Sequence, residues 1–255
     1  HVLRLEVVQN GGFNLDWIRL TPFRIAASEP QSRLPGYERI DLGFWRFDID
    51  GQAAGQPMGQ VRDLSVHGNH GNAVGSPVYS DEIPKLRGDT AGTTTPNRTV
   101  HAGLLNFLSG QFSRTAGQYV QVPHSAALSR GNQSFTVHAW IKPASLPSGT
   151  GDPSQRQWLL QKKVASSSEN ATDYAVLAGG ADLAAGGTWG KKTGASGREI
   201  VLLFGTGSGY QTAVSASEIP ADSDWHEIMV SYDAAKKEVL FLLDGQFRAG
   251  DVVQG

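Results

Sequence analysis

Retaining glycoside hydrolysis needs two carboxyl groups about 5–5.5 Å apart, a spacing that alternate positions on one strand supply. Among the 24 Asp and Glu residues, the nearest fits are Asp222, Asp224 and Glu227, and the pair Asp48 and Asp50. Asp222 and Asp224 fall in the turn before a strand, and no third acid follows Asp50 closely, so both sets read as solvated turn acids. A serine hydrolase places its nucleophile on a strand-to-helix elbow of the form Gly-x-Ser-x-Gly. GTGSGY (205–210) leads into a strand instead and reads as a hairpin loop. No phosphate-binding Gly-x-x-x-x-Gly-Lys-Ser/Thr is present. The chain has no cysteine, which excludes disulfides, thiolate metal sites and thiol nucleophiles. His67 and His70 sit in HGNH and read as loop residues, while His138 and His226, close to tryptophans on strands, read as structural partners. The residues therefore point to no catalytic set.

Sugar binding has different requirements: an aromatic platform for the C–H face of a pyranose, and planar polar groups for its hydroxyls. Of the six tryptophans, Trp45, Trp140 and Trp225 fall in strand segments. Trp189 lies in AGGTWGKKTGASG (185–197), a glycine-rich loop that gives no reason to bury it. An exposed indole there, followed by Lys191 and Lys192, is placed to face an acidic glycan. Tyr210, after GTGSG, is the second aromatic candidate.

The elements that would hold these residues are strands. The segments share one pattern, short and rich in Val, Ile, Leu and aromatics, fenced by Gly, Pro, Asn or Asp. They include HVLRLEVV (1–8), NLDWIRLTPFRI (14–25), LGFWRFDI (42–49), GNAVG (71–75), QYVQVP (118–123), SFTVHAWIKP (134–143), WLLQKK (158–163), TDYAVLAG (172–179), REIVLLFG (198–205), YQTAVSAS (210–217), WHEIMVSYD (225–233) and EVLFLLDG (238–245). In SFTVHAWIKP, Phe135, Val137, Ala139 and Ile141 share one face and Thr136, His138, Trp140 and Lys142 the other, as side chains alternate along a strand. One short helical turn is expected at 125–128. Residues 50–70, 144–157 and 180–197 carry no strand pattern, and 26–41 reads as a linker. Many short strands with frequent turns make an all-β sandwich or jelly roll. The 31 glycines, about 12 % of the chain against a usual ~7 %, agree.

A net charge of −2 argues against a nucleic-acid or anionic-membrane partner. No apolar run approaches the ~20 residues of a membrane-spanning helix. The chain starts at His1 without a secretory leader, as a mature secreted form or a fragment would. Sequons at Asn97, Asn132 and Asn170 are close to chance expectation in a Ser/Thr-rich chain. The Cys-free, near-neutral composition suits a secreted or cell-surface location on a bacterial exterior.

From residue 42 onward the chain resembles the laminin-G-like, concanavalin-A-like jelly rolls. The matching blocks come in order: FWRFD (44–48), VRDLSVHGNHGNAVG (61–75), LLNFLSGQFSRTAGQYVQVPHSAALS (104–129), FTVHAWIKP (135–143) and DWHEIMVSYDAAKKEVLFLLDGQ (224–246). The resemblance implies a two-sheet jelly roll over 42–255. It also implies a further closing strand beyond the Asp244-Gly245 hairpin, so the roll is expected to be incomplete at its C-terminus. HVLRLEVVQNGGFNLDWIRLTPF resembles the last strands of a family-six-type carbohydrate-binding module. In that resemblance Asn14 faces a sugar and Asp16 helps to hold a structural calcium. Residues 1–25 are then either the end of a preceding module or strands packed on the main domain in place of its closing strands. Jelly-roll binding domains tie loops with calcium through carboxylates and carbonyls, which adds Asp48 and Asp63 to Asp16 as metal candidates. The implied function is non-catalytic, lectin-like binding of a polysaccharide by a module of a larger chain with neighbouring domains. A protein-binding adhesion module, a structural spacer, and a glycoside hydrolase or lyase are the alternatives.

Overall fold

The computed structural model describes residues 2–6, 12–21, 41–47, 52–84, 100–101, 104–105, 108–113, 115–131, 133–145, 156–163, 172–178, 188–190, 197–205 and 210–255. Their strands are β1 (Val2–Glu6), β2 (Gly12–Thr21), β3 (Gly43–Arg46), β4 (Gln60–Val61), β5 (Gly71–Val74), β6 (Val78–Ser80), β7 (Val100–His101), β8 (Leu104–Leu105), β9 (Ser109–Ser113), β10 (Tyr119–Val122), β11 (Phe135–Pro143), β12 (Gln157–Lys163), β13 (Thr172–Ala178), β14 (Thr188–Gly190), β15 (Glu199–Gly205), β16 (Tyr210–Glu218), β17 (His226–Asp233), β18 (Glu238–Leu243) and β19 (Val252–Gln254). Ala126–Leu128 forms the expected single helical turn, of the tighter 3-10 kind.

Two sheets face each other. One runs β14-β16-β15-β13-β12-β1-β10-β5-β4 and the other β19-β18-β17-β11-β2-β9-β6, with β3 also paired to β2. Nearly all pairs are antiparallel; β14 with β16 is the parallel one. The alternation read in the sequence decides which side chains meet between the sheets. Val137, Ala139 and Ile141 of β11 and Val230 of β17 face Val120 and Val122 of β10, Leu160 of β12, Val176 of β13 and Leu202 of β15 in one apolar core. Phe135 packs on Tyr174 across it, ring centroids 4.9 Å apart. Residues 57–61 bind the sheets together at one edge: Pro57 bridges to Val78 on β6, while Gln60 pairs with Asn72 on β5.

The first two strands sit at the centre of this arrangement, one in each sheet. β1 lies between β10 and β12, and β2 lies between β11 and β9. Ile18 and Leu20 of β2 are fully buried in the shared core. An isolated two-strand ribbon is marginal in water; split between two sheets, each strand gains a neighbour on both edges. The linker expected at 26–41 lies outside the described residues except for Asp41, which is buried and pairs with Arg19 of β2 at 3.1 Å.

Two details correct the reading by pattern alone, and one agrees with it. The unpatterned stretches 50–70 and 180–197 contain β4 and β14, strands too short to leave a period. β6 and β19 are equally short. Asp244 and Gly245 form the expected two-residue hairpin turn, with φ of 53° and 70°, the positive values such a turn requires.

Because β2 is part of the core, Ile18→Ala should destabilise the whole domain by about 3 kcal/mol and leave a single unfolding transition in urea. A change below about 0.5 kcal/mol, or a separate early transition, would mean that β2 is a peripheral attachment.

Candidate amide row on the nine-stranded sheet

One register line crosses the larger sheet from edge to edge. Gln60 pairs with Asn72, Asn72 with Gln121, Gln121 with Arg4 and Arg4 with Gln161. The line continues through Ala175, Leu203, Thr212 and Thr188. Its neighbours Val61, Ala73, Val120, Val122, Leu160 and Val176 belong to or pack on the core. Side chains alternate along a strand, so Gln60, Asn72, Gln121 and Gln161 project from the opposite, outer face. The local sequences GNAV and YVQV make this unavoidable, since a polar residue between two core-facing ones must point away from the core.

The four amides carry eight N–H hydrogens and four carbonyl oxygens between them. Among the described residues, none of the four side chains makes a hydrogen bond. Gln60 and Asn72 are exposed, Gln121 is half-buried, and Gln161 is only 4 % exposed. Amides presented on an outer sheet face suit a ligand that brings its own donors and acceptors. Tyr119 of β10 lies half-buried two residues from Gln121 on the same face. From Trp158 of β12 onward the face changes character: Trp158, Ala175, Leu177, Val201, Leu203 and Val214 form a buried apolar cluster with Tyr210 packed against it.

A family model described as the concanavalin A-like lectin/glucanases superfamily matches residues 114–255, more than half of the chain. The chain belongs to this superfamily. The all-β sandwich agrees with it, as the blocks from FWRFD onward implied. No curated protein and no solved structure matches the chain. No helix among the described residues is long and apolar enough to cross a membrane.

Within this superfamily fold, the three residues expected to hold sugar stand apart. Trp189 is not in an open loop. It lies on β14, half-buried, with its ring against Phe204 at 5.0 Å between centroids, and it packs on the main core. Gly255 lies directly against the indole, where any side chain would overlap it. Tyr210 opens β16 at the sealed end of the outer face. Asn14 is on the other sheet and buried; its amide donates to Glu82 Oε2 at 2.7 Å and to Ser80 Oγ at 3.4 Å. Lys142 Nζ completes that group, 2.9 Å from Glu82 Oε1.

The calcium candidates divide likewise. Asp63 is 4 % exposed, and both carboxylate oxygens accept from protein donors. Oδ1 takes the amides of Phe44 and Ser65, and Oδ2 takes the Ser65 hydroxyl and the Asn69 amide. A cation at this carboxylate would face four hydrogens, so Asp63 fits a loop clamp and not a calcium ligand. The Asp16 backbone lies in β2 at the step where Trp17 pairs with Trp140 but Leu15 with Ile141, leaving Asp16 as the extra residue. Its side chain, and the whole of Asp48, lie outside the described residues. Among the described residues no group of three His, Cys, Asp or Glu could hold a metal ion.

Of the acids weighed for hydrolysis, Asp222, Asp224 and Glu227 serve the rim of the sandwich, while Asp48 and Asp50 lie outside the described residues. His226 Nε2 meets Asp222 Oδ1 and Nδ1 meets Asp244 Oδ2, each at 3.0 Å, which ties the turn before β17 to the turn after β18. Asp244 Oδ1 also accepts the Glu227 amide, and Glu227 Oε1 lies 2.7 Å from His138 Nε2. Asp224 accepts the Trp225 amide. His70 Nδ1 accepts the Asp63 amide, while His67 is exposed at the loop tip. Both bonds to His226 need both ring nitrogens to donate, which is the imidazolium form. Burial opposes that charge, but hydrogen bonds and charges from Asp244 and Asp222 outweigh it and lift the pKa above 6.5. Burial also works against the Asp222 charge, and the His226 hydrogen bond with backbone amides outweighs it, holding the pKa below 3.8.

The signs define a window. The raised His226 pKa contributes stability that is complete below 6.5 and is lost as pH rises through the folded value. The lowered Asp222 pKa contributes stability present above 3.8 and lost as pH falls through its folded value. The gap in urea midpoint between wild type and His226→Gln should therefore be wider at pH 5.5 than at pH 8.5. An equal gap at both would show that the imidazole acts by packing alone.

Separately, Asp63→Ala should cost about 3 kcal/mol, because four buried donors lose their acceptor. Added calcium should leave wild-type stability unchanged. A calcium-dependent rise in Tm abolished by Asp63→Ala would overturn the clamp assignment.

Proposed function

We propose that this domain is a non-catalytic, lectin-like module that holds a polysaccharide on the outer face of its larger sheet, as part of a secreted or cell-surface protein with further domains. The observation that carries this reading is the line of four amides, Gln60, Asn72, Gln121 and Gln161, on one register across the sheet, none of them hydrogen-bonded among the described residues. Planar amides pair with vicinal sugar hydroxyls as donor and acceptor at once, and Tyr119 adds a ring beside them. The superfamily includes lectins as well as glucanases, which is consistent with a sugar ligand. The non-catalytic part of the reading is supported by the acids at the rim, which are occupied with His226, His138 and backbone amides.

Carbohydrate is held here by hydrogen bonds on a flat polar face, and neither calcium nor Trp189 takes part. Each net hydrogen bond is worth about 1 kcal/mol, close to a fivefold change in Kd. On a glycan array, Gln121→Ala and Asn72→Ala should each weaken binding about fivefold. A chelator and Trp189→Phe should leave it unchanged. Loss of binding in Trp189→Phe with Gln121→Ala intact would move the site to the β14 edge. A folded protein that binds no glycan would remove the sugar reading altogether.

A further inference from the structure

His70 brings a donor of fixed direction to the open end of the outer face. It lies two residues before Asn72 of β5, and side chains two apart along a strand share a face. Its Nδ1 is 3.0 Å from the backbone nitrogen of Asp63. A backbone N–H only donates, so Nδ1 is the acceptor nitrogen of a neutral imidazole and Nε2 carries the hydrogen. The Asp63 amide is itself held in place, because the Asp63 carboxylate ties the loop through the amides of Ser65 and Asn69. Among the described residues the ring has no other partner. His70 is half-buried, and Nε2 reaches solvent. Its N–H is left for a partner outside the protein.

Arg62 stands beside it. Gln60 pairs with Asn72 and Val61 with Gly71, so the next step of the same ladder sets Arg62 across from His70. Arg62 is exposed, and a guanidinium has five N–H donors and no acceptor, so one contact does not exhaust it. On β10 the same line falls at Pro123, two residues past Gln121, which offers no donor. The Asp63 carboxylate is buried and taken up by loop donors. A donor-only pair therefore lies over β4 and β5, about 7 Å along the strands from Gln60 and Asn72.

Resting on the glycan reading, we infer that the face takes an acidic polysaccharide. An anionic substituent of one sugar, a carboxylate or a sulfate, is held by Arg62 and the Nε2–H of His70, while Gln60 and Asn72 hold hydroxyls of the same ring. Amides donate and accept alike, so they suit hydroxyls of any sugar. Two donor-only groups side by side suit an oxygen anion, which accepts from both, and such charge-assisted hydrogen bonds are about twice as strong as neutral ones. The offset from the amides puts the anion to one side of the ring, as a substituent at C6 would be.

The test compares soluble β-1,4-glucan oligosaccharides with the same chains oxidised to carboxylate at C6 and with their 6-sulfated forms. At low salt at least one anionic form should bind about tenfold more tightly than the neutral chain, and the form that gains more names the anion. High salt should shrink the gain, because it screens exposed charges. His70→Asn keeps an acceptor where Nδ1 stood and removes the Nε2 donor. It and Arg62→Gln should each remove most of the gain and leave binding of the neutral chain unchanged. In 15N NMR spectra of the wild type at pH 8, His70 should carry its hydrogen on Nε2. An Nδ1–H tautomer, equal affinity for neutral and anionic chains, or a gain that persists in both variants would overturn the inference and leave the glycan reading standing. Failure of all three oligosaccharide forms to bind the folded protein would overturn both.

Discussion

The structure depends on where its first two strands go. Each of the two sheets is continuous only through one of them. β10 and β12 are joined by β1, and β9 and β11 by β2. Backbone donors and acceptors in a sheet interior must be paired, so these four strands need a partner at that position. The apolar side of β2, with Leu15, Ile18 and Leu20 buried, needs a core on which to close. One short segment answers both demands. The amide row inherits the same dependence, because its register runs from Gln121 to Gln161 through the β1 position. Pairings such as Val2 with Lys163 and Thr21 with Thr136 are far apart in sequence, the kind of topology that folds slowly.

Sequence pattern revealed most of the fold because alternation is local. β11, β13, β15, β17 and β18 fall where their apolar residues put them, and Asp244-Gly245 turns as its composition demands. The candidate site was less legible. Gln121 and Asn72 could be assigned to an outer face from YVQV and GNAV alone. That they share a line with Gln60 and Gln161 depends on register across five strands, which no local pattern encodes. Trp189 misled because glycines on both sides suggested an open loop, whereas a three-residue strand was enough to lay the indole on Phe204. Asn14 misled because its partners, Ser80 and Glu82, lie 66 and 68 residues away. The clamp at Asp63 differs from a cation site only in the direction of its hydrogen bonds, and the sequence carries no sign of direction.

The polar groups fall into two kinds. Several at the rims and loops are satisfied within the protein. Asp63 takes four donors, and Asp251 takes the amides of Ala216, Ser217 and Arg248 with the Ser217 hydroxyl, linking the β18–β19 turn to β16. His226 draws two further turns together. Such contacts fix the edges of both sheets and hold the outer face in one shape. The amides of the row stand apart from this bookkeeping, with planar groups presented on a rigid surface. Ordering cost on binding is small when the recognition groups are already in place, which is the physical advantage of building a sugar site on strands.

The most direct measurement follows the side-chain NH2 resonances of Gln60, Asn72, Gln121 and Gln161, and the Trp189 indole N–H, by NMR during titration with soluble β-glucan oligosaccharides. The account predicts that the four amide pairs shift together and saturate at one concentration while the Trp189 signal stays in place. Movement of the Trp189 indole with the four amides unchanged would contradict it.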